Sequence, residues 1–171
     1  MEFQELIRQR RSIRGFTSQP VEEGKLQKIL EAVNEAPSAG NRQAYEVYVV
    51  RKPGDRAALA AAARGQDFIK ASSVVLVFCA HPALSEVRYK ERGARLYSLQ
   101  DATIACTYAM LALVDLGLAS VWVGAFSDDA VWKAIGSPAG QQPVAMLPIG
   151  YAGEGPQSKS RRDLTGLVHE V

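Results

Sequence analysis

Apolar positions along the chain follow two rhythms. Phe3, Leu6 and Ile7 recur at i, i+3 and i+4, so residues 2–10 read as a short amphipathic helix, with Gly15 allowing the turn beyond it. Pro20 suits a first helical position, Glu22 and Glu23 favour the positive end of the dipole, and Leu26, Ile29, Leu30 and Val33 form one apolar face before Pro37 stops the helix. Tyr45 to Val50 is rich in β-branched and aromatic residues and reads as a strand, broken by Pro53-Gly54. Residues 55–64 are alanine-rich and helical, ended by Gly65. Ser73 to Ala80 is a continuous apolar run, whose length and valine content predict a strand buried on both faces. Residues 81–97 are polar and charged and form a connecting segment or a surface helix.

The segment 98–117 differs from all of these. Asp101 is well placed at a helix start and Gly117 marks the end. Nearly every residue between them is small or apolar, over a length of about 25 Å. A helix apolar all round must be surrounded by protein, which a chain of 171 residues hardly achieves alone, so a partner subunit is expected. Ala119 to Val123 reads as a strand, Asp128 to Ile135 as a short helix and Pro143 to Gly150 as another apolar strand. From about residue 152 to 171 the chain is polar and turn-rich, an extended arm on a single domain spanning 1–171. Helices and strands alternate without a strict βαβ rhythm, so the class is α+β.

Composition narrows the picture. With 47% apolar and 22% charged residues, disorder, collagen and coiled coil are excluded. The 13-residue run between Asp101 and Asp115 falls short of the roughly 18 residues needed to span a bilayer. The start, MEFQELIRQRRS, lacks the apolar core of a signal peptide. Cys79 and Cys106 each lie in an apolar segment and read as buried free thiols in a reducing, cytoplasmic compartment. His81 and His169 are the only histidines and no zinc spacing occurs, so zinc hydrolase and histidine triad chemistry are unsupported.

The net charge of +2 conceals an uneven distribution. RQRRSIR (8–14) holds four arginines and PQSKSRR (156–162) holds Lys159, Arg161 and Arg162, neither with an acid. Two such clusters either converge on one anion, which arginine forks and Ser12 would suit, or are unconnected solvated patches. A nucleic-acid surface is disfavoured, because no aromatic residue interleaves the first cluster. GxSxG, GxGxxG and GxxxxGK[ST] are all missing. What remains is a set of anion- and amide-recognition elements: RRSIR, PSAGNRQ (37–43), VGAF (123–126) and KSRR (159–162). PSAGNRQ also reads as a plain turn and VGAF as a plain strand end. A planar heterocycle bearing a phosphate would use all four.

RRSIRGF followed some 25 residues later by PSAGNRQ, then WVGAF, LPIGY and KSRR, together with RYKERGARLYSLQDA (88–102), resembles the FMN-dependent nitroreductase family over essentially the whole chain. The resemblance implies a three-layer α+β sandwich, with a mostly antiparallel sheet flanked by helices. It also implies an intertwined homodimer with FMN at the interface, touched by both subunits, and neither nucleic acid nor membrane as a partner. By similarity Arg10, Arg11, Ser12 and Arg14 hold FMN, Arg10 and Ser12 toward the phosphate and ribityl end and Arg14 at the pyrimidine edge. Lys159 and Arg161 close on the phosphate. Pro37, Ser38, Ala39, Asn41 and Gln43 of the partner subunit line the ribityl chain and ring. At the end of the strand that holds Val123, the N–H of Gly124 or Ala125 meets flavin N5, and Gln66 reaches the pyrimidine ring.

Where many relatives carry proline and a bulky aromatic after the loop glutamine, this chain has Ala44 and Tyr45. Segment 82–97 is the one candidate lid. Tyr89, Arg92 and Tyr97 there either contact substrate or belong to a surface helix. The implied activity is ping-pong hydride transfer from NADH or NADPH through flavin N5 to a nitroaromatic or quinone. No protein nucleophile is needed, since the flavin carries the chemistry. The alternatives are reductive dehalogenation or reduced-flavin fragmentation on the same fold, or a non-catalytic FMN-binding role.

Overall fold

The computed structural model describes residues 2–157 and 159–171. Its organising strand is the apolar run: β2 (Val74–Ala80) is buried at every position. It lies second in a four-stranded sheet with β1 (Tyr45–Val50), β4 (Gln142–Gly150) and β3 (Ala119–Ser120), in the order β1-β2-β4-β3. All three pairings are antiparallel.

Alternation along β2 divides the core in two. Val74, Leu76 and Phe78 pack against α2 (Glu23–Asn34) and α6 (Ser98–Asp115), which contribute Leu26, Ile29 and Val33 and then Ala105, Ala109 and Leu113. Val75, Val77 and Cys79 meet Leu59 of α3 (Pro53–Ala62), Ile69 of α4 (Phe68–Ala71) and Val131 of α7 (Asp128–Ile135). The result is the expected three-layer sandwich. The remaining helices are α1 (Phe3–Gln9) and the surface helix α5 (Pro82–Arg92), which runs through a π-helical turn, Gly93–Tyr97, into α6. Both cysteines are buried and free, on opposite faces of the sheet. Burial, aided by the charges of Glu46 and Asp128, pushes the Cys79 thiol up to about 12, and burial raises Cys106 as well.

Several boundaries differ from those the sequence predicts. The second helix begins at Glu23, not Pro20, because the N–H of Val21 donates to Ser73 Oγ at 2.8 Å and keeps that stretch extended. The alanine-rich helix starts at Pro53 and stops at Ala62, before Arg64 turns into positive φ. The strand expected over 119–123 shrinks to Ala119–Ser120, although its register with β4 continues: Ala119 faces Gly150, Ser120 faces Ile149 and Val123 faces Met146. The gap has a covalent cause. Met146 donates its N–H to Val123, and the next residue of β4 facing the same way is Pro148, which has no N–H to donate.

Asp101 does not cap the long helix. Helix α6 starts three residues earlier, at Ser98, and Asp101 is fully buried inside its first turn. Its carboxylate accepts the N–H of Ala39 at 2.9 Å and the N–H of Ala44 at 3.2 Å. At the other end of the sandwich, residues 14–17 are laced to 151–154. Phe16 bridges Ala152, Gly153 donates to the Gly15 carbonyl, and Glu154 Oε1 accepts the Arg14 N–H at 2.6 Å.

Two outcomes are expected. Asp101→Asn replaces one acceptor oxygen with an NH2 facing an N–H donor, and should lower the unfolding free energy by about 1–3 kcal/mol, read from urea denaturation. Hydrogen bonds from the Arg14 and Gly15 amides hold the exposed Glu154 carboxyl below its ordinary range. A depressed folded value stabilises above the unfolded pKa, and that contribution is lost as pH falls through the folded one. The melting-temperature gap between wild type and Glu154→Gln should therefore be present at neutral pH and close on acidification.

Candidate active site

The chain leaving α1 lies along β3. Ser12 forms a parallel bridge with Ser120, and the Ile13 N–H donates to the Ser120 carbonyl at 3.0 Å. Extended backbone alternates its side chains, so Ile13 is buried while Ser12 and Arg14 are exposed. Arg10 and Arg11 are half-buried. The C-terminal arm brings a third cation to them. Burial first, then the charges of Arg161 and Arg11, hold the Arg10 guanidinium below its usual range. The two basic clusters of the sequence therefore meet. Among the described residues no carboxylate pairs with Arg10, Arg11 or Arg161. Lys159, two residues before Arg161, is exposed.

Three further segments gather around Arg14. Its guanidinium sits 5.9 Å from the centre of the Phe68 ring, at the start of α4. Gln66 precedes that helix and donates its side-chain amide to the Ala63 carbonyl at 3.0 Å. The Ser127 N–H donates to Ala62, which brings the 123–127 segment to the same end of α3. Val123 is buried and pinned to Met146 by a pair of 2.9 Å hydrogen bonds. Gly124 and Ala125, just beyond, are exposed, and among the described residues their N–H groups make no hydrogen bond. They are free donors at the end of a fixed strand.

The loop 37–43 is a separate construction. Ala39–Asn41 forms a 3-10 turn in which Gly40 and Asn41 both take φ of +55°, and Gln43 follows at +45°. Outside glycine such angles are uncommon, and here the hydrogen bonds impose them. Asp101 holds the loop from below, Ser38 Oγ accepts the Gln43 N–H at 2.9 Å, and the Gln43 amide reaches back to Asn34. Pro37 and Asn41 are exposed. The loop is therefore a rigid rim with its own polar groups partly occupied inside it.

These two constructions do not meet within one chain. Arg11 and Ile13 share a cleft with Val114, Gly117 and Ser120 at the C-terminal end of α6. Ala39 is tied to Asp101 in its first turn. The helix from Asp101 to Val114, a rise of about 20 Å, lies between them. The cationic end can bind a phosphate, and the free amides can hold an electronegative ring atom. Among the described residues no group of three or more His, Cys, Asp or Glu is placed to hold a metal ion, and no helix is long and apolar enough to cross a membrane.

Sequence reasoning missed Asp101, Phe68 and Glu154 as parts of this site. A lone acid in an apolar helix was a usable signal for Asp101. Glu154 meets Arg14 across 140 residues of chain, and no local pattern announces it.

Residues 7–151 match the nitroreductase family. A Thermus thermophilus protein named NADH dehydrogenase is 31% identical over 93% of this chain and 91% of its own. A nitroreductase family protein of Clostridium difficile has the same fold at a TM-score of 0.86, with 31% identity over 99% of this chain and 98% of its own. The NADPH:FMN oxidoreductase of Vibrio harveyi, solved with NAD+, superposes at 0.89 with 26% identity over 97% of this chain and 75% of its own. With a family match over residues 7–151 and a fold shared with a nitroreductase family protein at 31% identity, this chain belongs to the nitroreductase family.

Proposed function

We propose that this protein is an FMN-dependent oxidoreductase that takes a hydride from NADH or NADPH and passes it to an electron-poor acceptor such as a nitroaromatic or quinone. The observation that carries the reading is the crowding of Arg10, Arg11 and Arg161 without a carboxylate counter-charge. Like charges held together oppose folding unless an anion joins them, and the FMN phosphate is such an anion. When bound, FMN supplies two-electron chemistry at its N5 atom.

The chain's part is to hold and tune. Arg10, Arg11, Ser12, Lys159 and Arg161 take the phosphate and ribityl end. Arg14, its backbone tied to Glu154 and its guanidinium resting on Phe68, lies against the pyrimidine edge, where a fixed cation stabilises negative charge. Gly124 or Ala125 donates an N–H at N5, with Val123 fixing the strand end behind them. Gln66, close by, reaches the pyrimidine ring.

Pro37, Ser38, Ala39, Asn41 and Gln43 then come from a second copy. Helix α6 supports that reading. In the single chain its face with Thr103, Thr107 and Tyr108 is exposed, and Leu99, Ile104, Leu111 and Val114 are only half-buried. Two copies packed antiparallel along this face bring the cationic end of one to the loop end of the other. A homodimer would thus complete two sites that each chain leaves split, where hydride donor and acceptor would take turns in ping-pong order. A cytoplasmic location fits a pair of unoxidised, deeply buried thiols.

The purified protein should show flavin absorbance that bleaches anaerobically on adding NADH or NADPH. Absorbance without bleaching would indicate a binding role, and no absorbance after reconstitution would remove the reading. Arg14→Ala should weaken FMN binding about tenfold and slow reduction, measured by fluorescence titration and stopped flow.

A further inference from the structure

We propose that Arg88, with Arg92 beside it, recognises an anionic group, a phosphate or carboxylate, carried by the flat substrate that meets the flavin. The inference rests on the reading above that loop 37–43 borders the flavin ring.

The segment after β2 is built around an arginine–tyrosine cluster. Arg88 lies 5.4 Å from the centre of the Tyr89 ring and Arg92 lies 5.4 Å from that of Tyr97. The two tyrosines meet edge to face at 5.1 Å, and Arg92 Nε donates to the Tyr97 hydroxyl at 2.9 Å. Stacking of this kind fixes a guanidinium without neutralising it. Glu91, adjacent to Arg92, pairs with Arg95 instead, and Glu86, two residues before Arg88, forms no ion pair among the described residues. Among the described residues no carboxylate pairs with Arg88 or Arg92.

The backbone departs from regular helix to aim this cluster. Lys90 takes φ +52° and ψ −143°, a conformation rare outside glycine, and a π-turn follows. A Cβ on Gly93 would stand 2.6 Å from the Ser85 carbonyl oxygen, so the chain closes on itself at that point. The outcome of these departures lies at the loop. The Tyr89 hydroxyl would sit 2.3 Å from a Cβ on Gly40, and Arg88 Nη1 would sit 3.0 Å from it. Tyr97 shares a cleft with Ala39 and Gln100. A surface helix with no task at the loop has no reason to hold the unneutralised Arg88 guanidinium against its tightest turn, with Arg92 following along the same tyrosine cluster. An anion arriving beside the ring would find Arg88 exposed, oriented and free of a competing acid.

The phosphate would be the one that NADPH carries and NADH lacks, the carboxylate would come from the acceptor, and substrate pairs separate the two. Flavin-loaded wild type, Arg88→Gln, Arg92→Gln and Arg88→Lys are compared for kcat/KM with NADPH against NADH, and with 4-nitrobenzoate against 4-nitrobenzamide. NADP+ affinity is read independently from perturbation of the flavin spectrum. Arg88→Gln should lower the preference for the more negatively charged member of one pair about tenfold. Arg92→Gln should lower it less, Arg88→Lys should restore most of it, and added salt should erode it in the wild type. Loss confined to the dinucleotide pair, with weaker NADP+ binding, assigns the donor phosphate. Loss confined to the nitroaromatic pair assigns the acceptor carboxylate. Unchanged ratios in both pairs, in protein that still carries and reduces its flavin, overturn the proposal. Protein without flavin overturns it together with the reading on which it rests.

Discussion

Asp101 is the one fully buried charged side chain among the described residues, and the loop from Ser38 to Ala44 hangs from its two oxygens. A carboxylate inside a sandwich is tolerated only where donors meet it, and here the donors are backbone amides of a turn that runs through positive φ at three residues. The same bonds satisfy the acid and impose the turn. Neither arrangement is stable alone, and together they place a rigid rim at one end of α6. The lean of Tyr89 on Gly40 and the cleft beside Tyr97 both depend on that rim staying where it is.

The other end of α6 follows the opposite rule. There charge is concentrated without compensation. Arg10 is partly withdrawn from water and repelled by Arg11 and Arg161, an arrangement that lowers the stability of the free protein. Stability is contributed instead by the lacing of residues 14–17 to 151–154 and by the sheet beneath. The molecule thus separates a hydrogen-bonded pole built on Asp101 from a cationic one, with an apolar helix as the spacer.

Much of the fold was legible because the strongest signals were long. The fully apolar β2, the amphipathic α2 and the over-apolar α6 each declare themselves over seven or more residues. Errors fell where a distant partner overrode local preference. Ser73 captures the Val21 amide and delays α2, and Pro148 removes a rung from the ladder expected over 119–123. The candidate site was legible only as composition: basic clusters, a small-residue loop and a glycine after a strand. Its assembly was not, because the meeting of Arg10 with Arg161 and of Arg14 with Glu154 depends on how the arm returns across the sheet. The π-turn and the reversed φ at Lys90 carry no pattern that periodicity could register.

The missing rung at Pro148 bears on motion as well as on strand length. The stretch from Ser120 to Ala125 is fastened to the sheet at Ser120 and again at Val123, with no donated amide between the two points. It is a short beam on two supports, and the two unbonded amides lie in the next span, between Val123 and Ser127, whose N–H is tied to Ala62. Those two amides can shift without breaking a hydrogen bond of their own, so amide exchange should be slow at Val123 and fast at Gly124 and Ala125. A proline in the partner strand thereby leaves these two donors room to adjust without loosening the sheet that carries them.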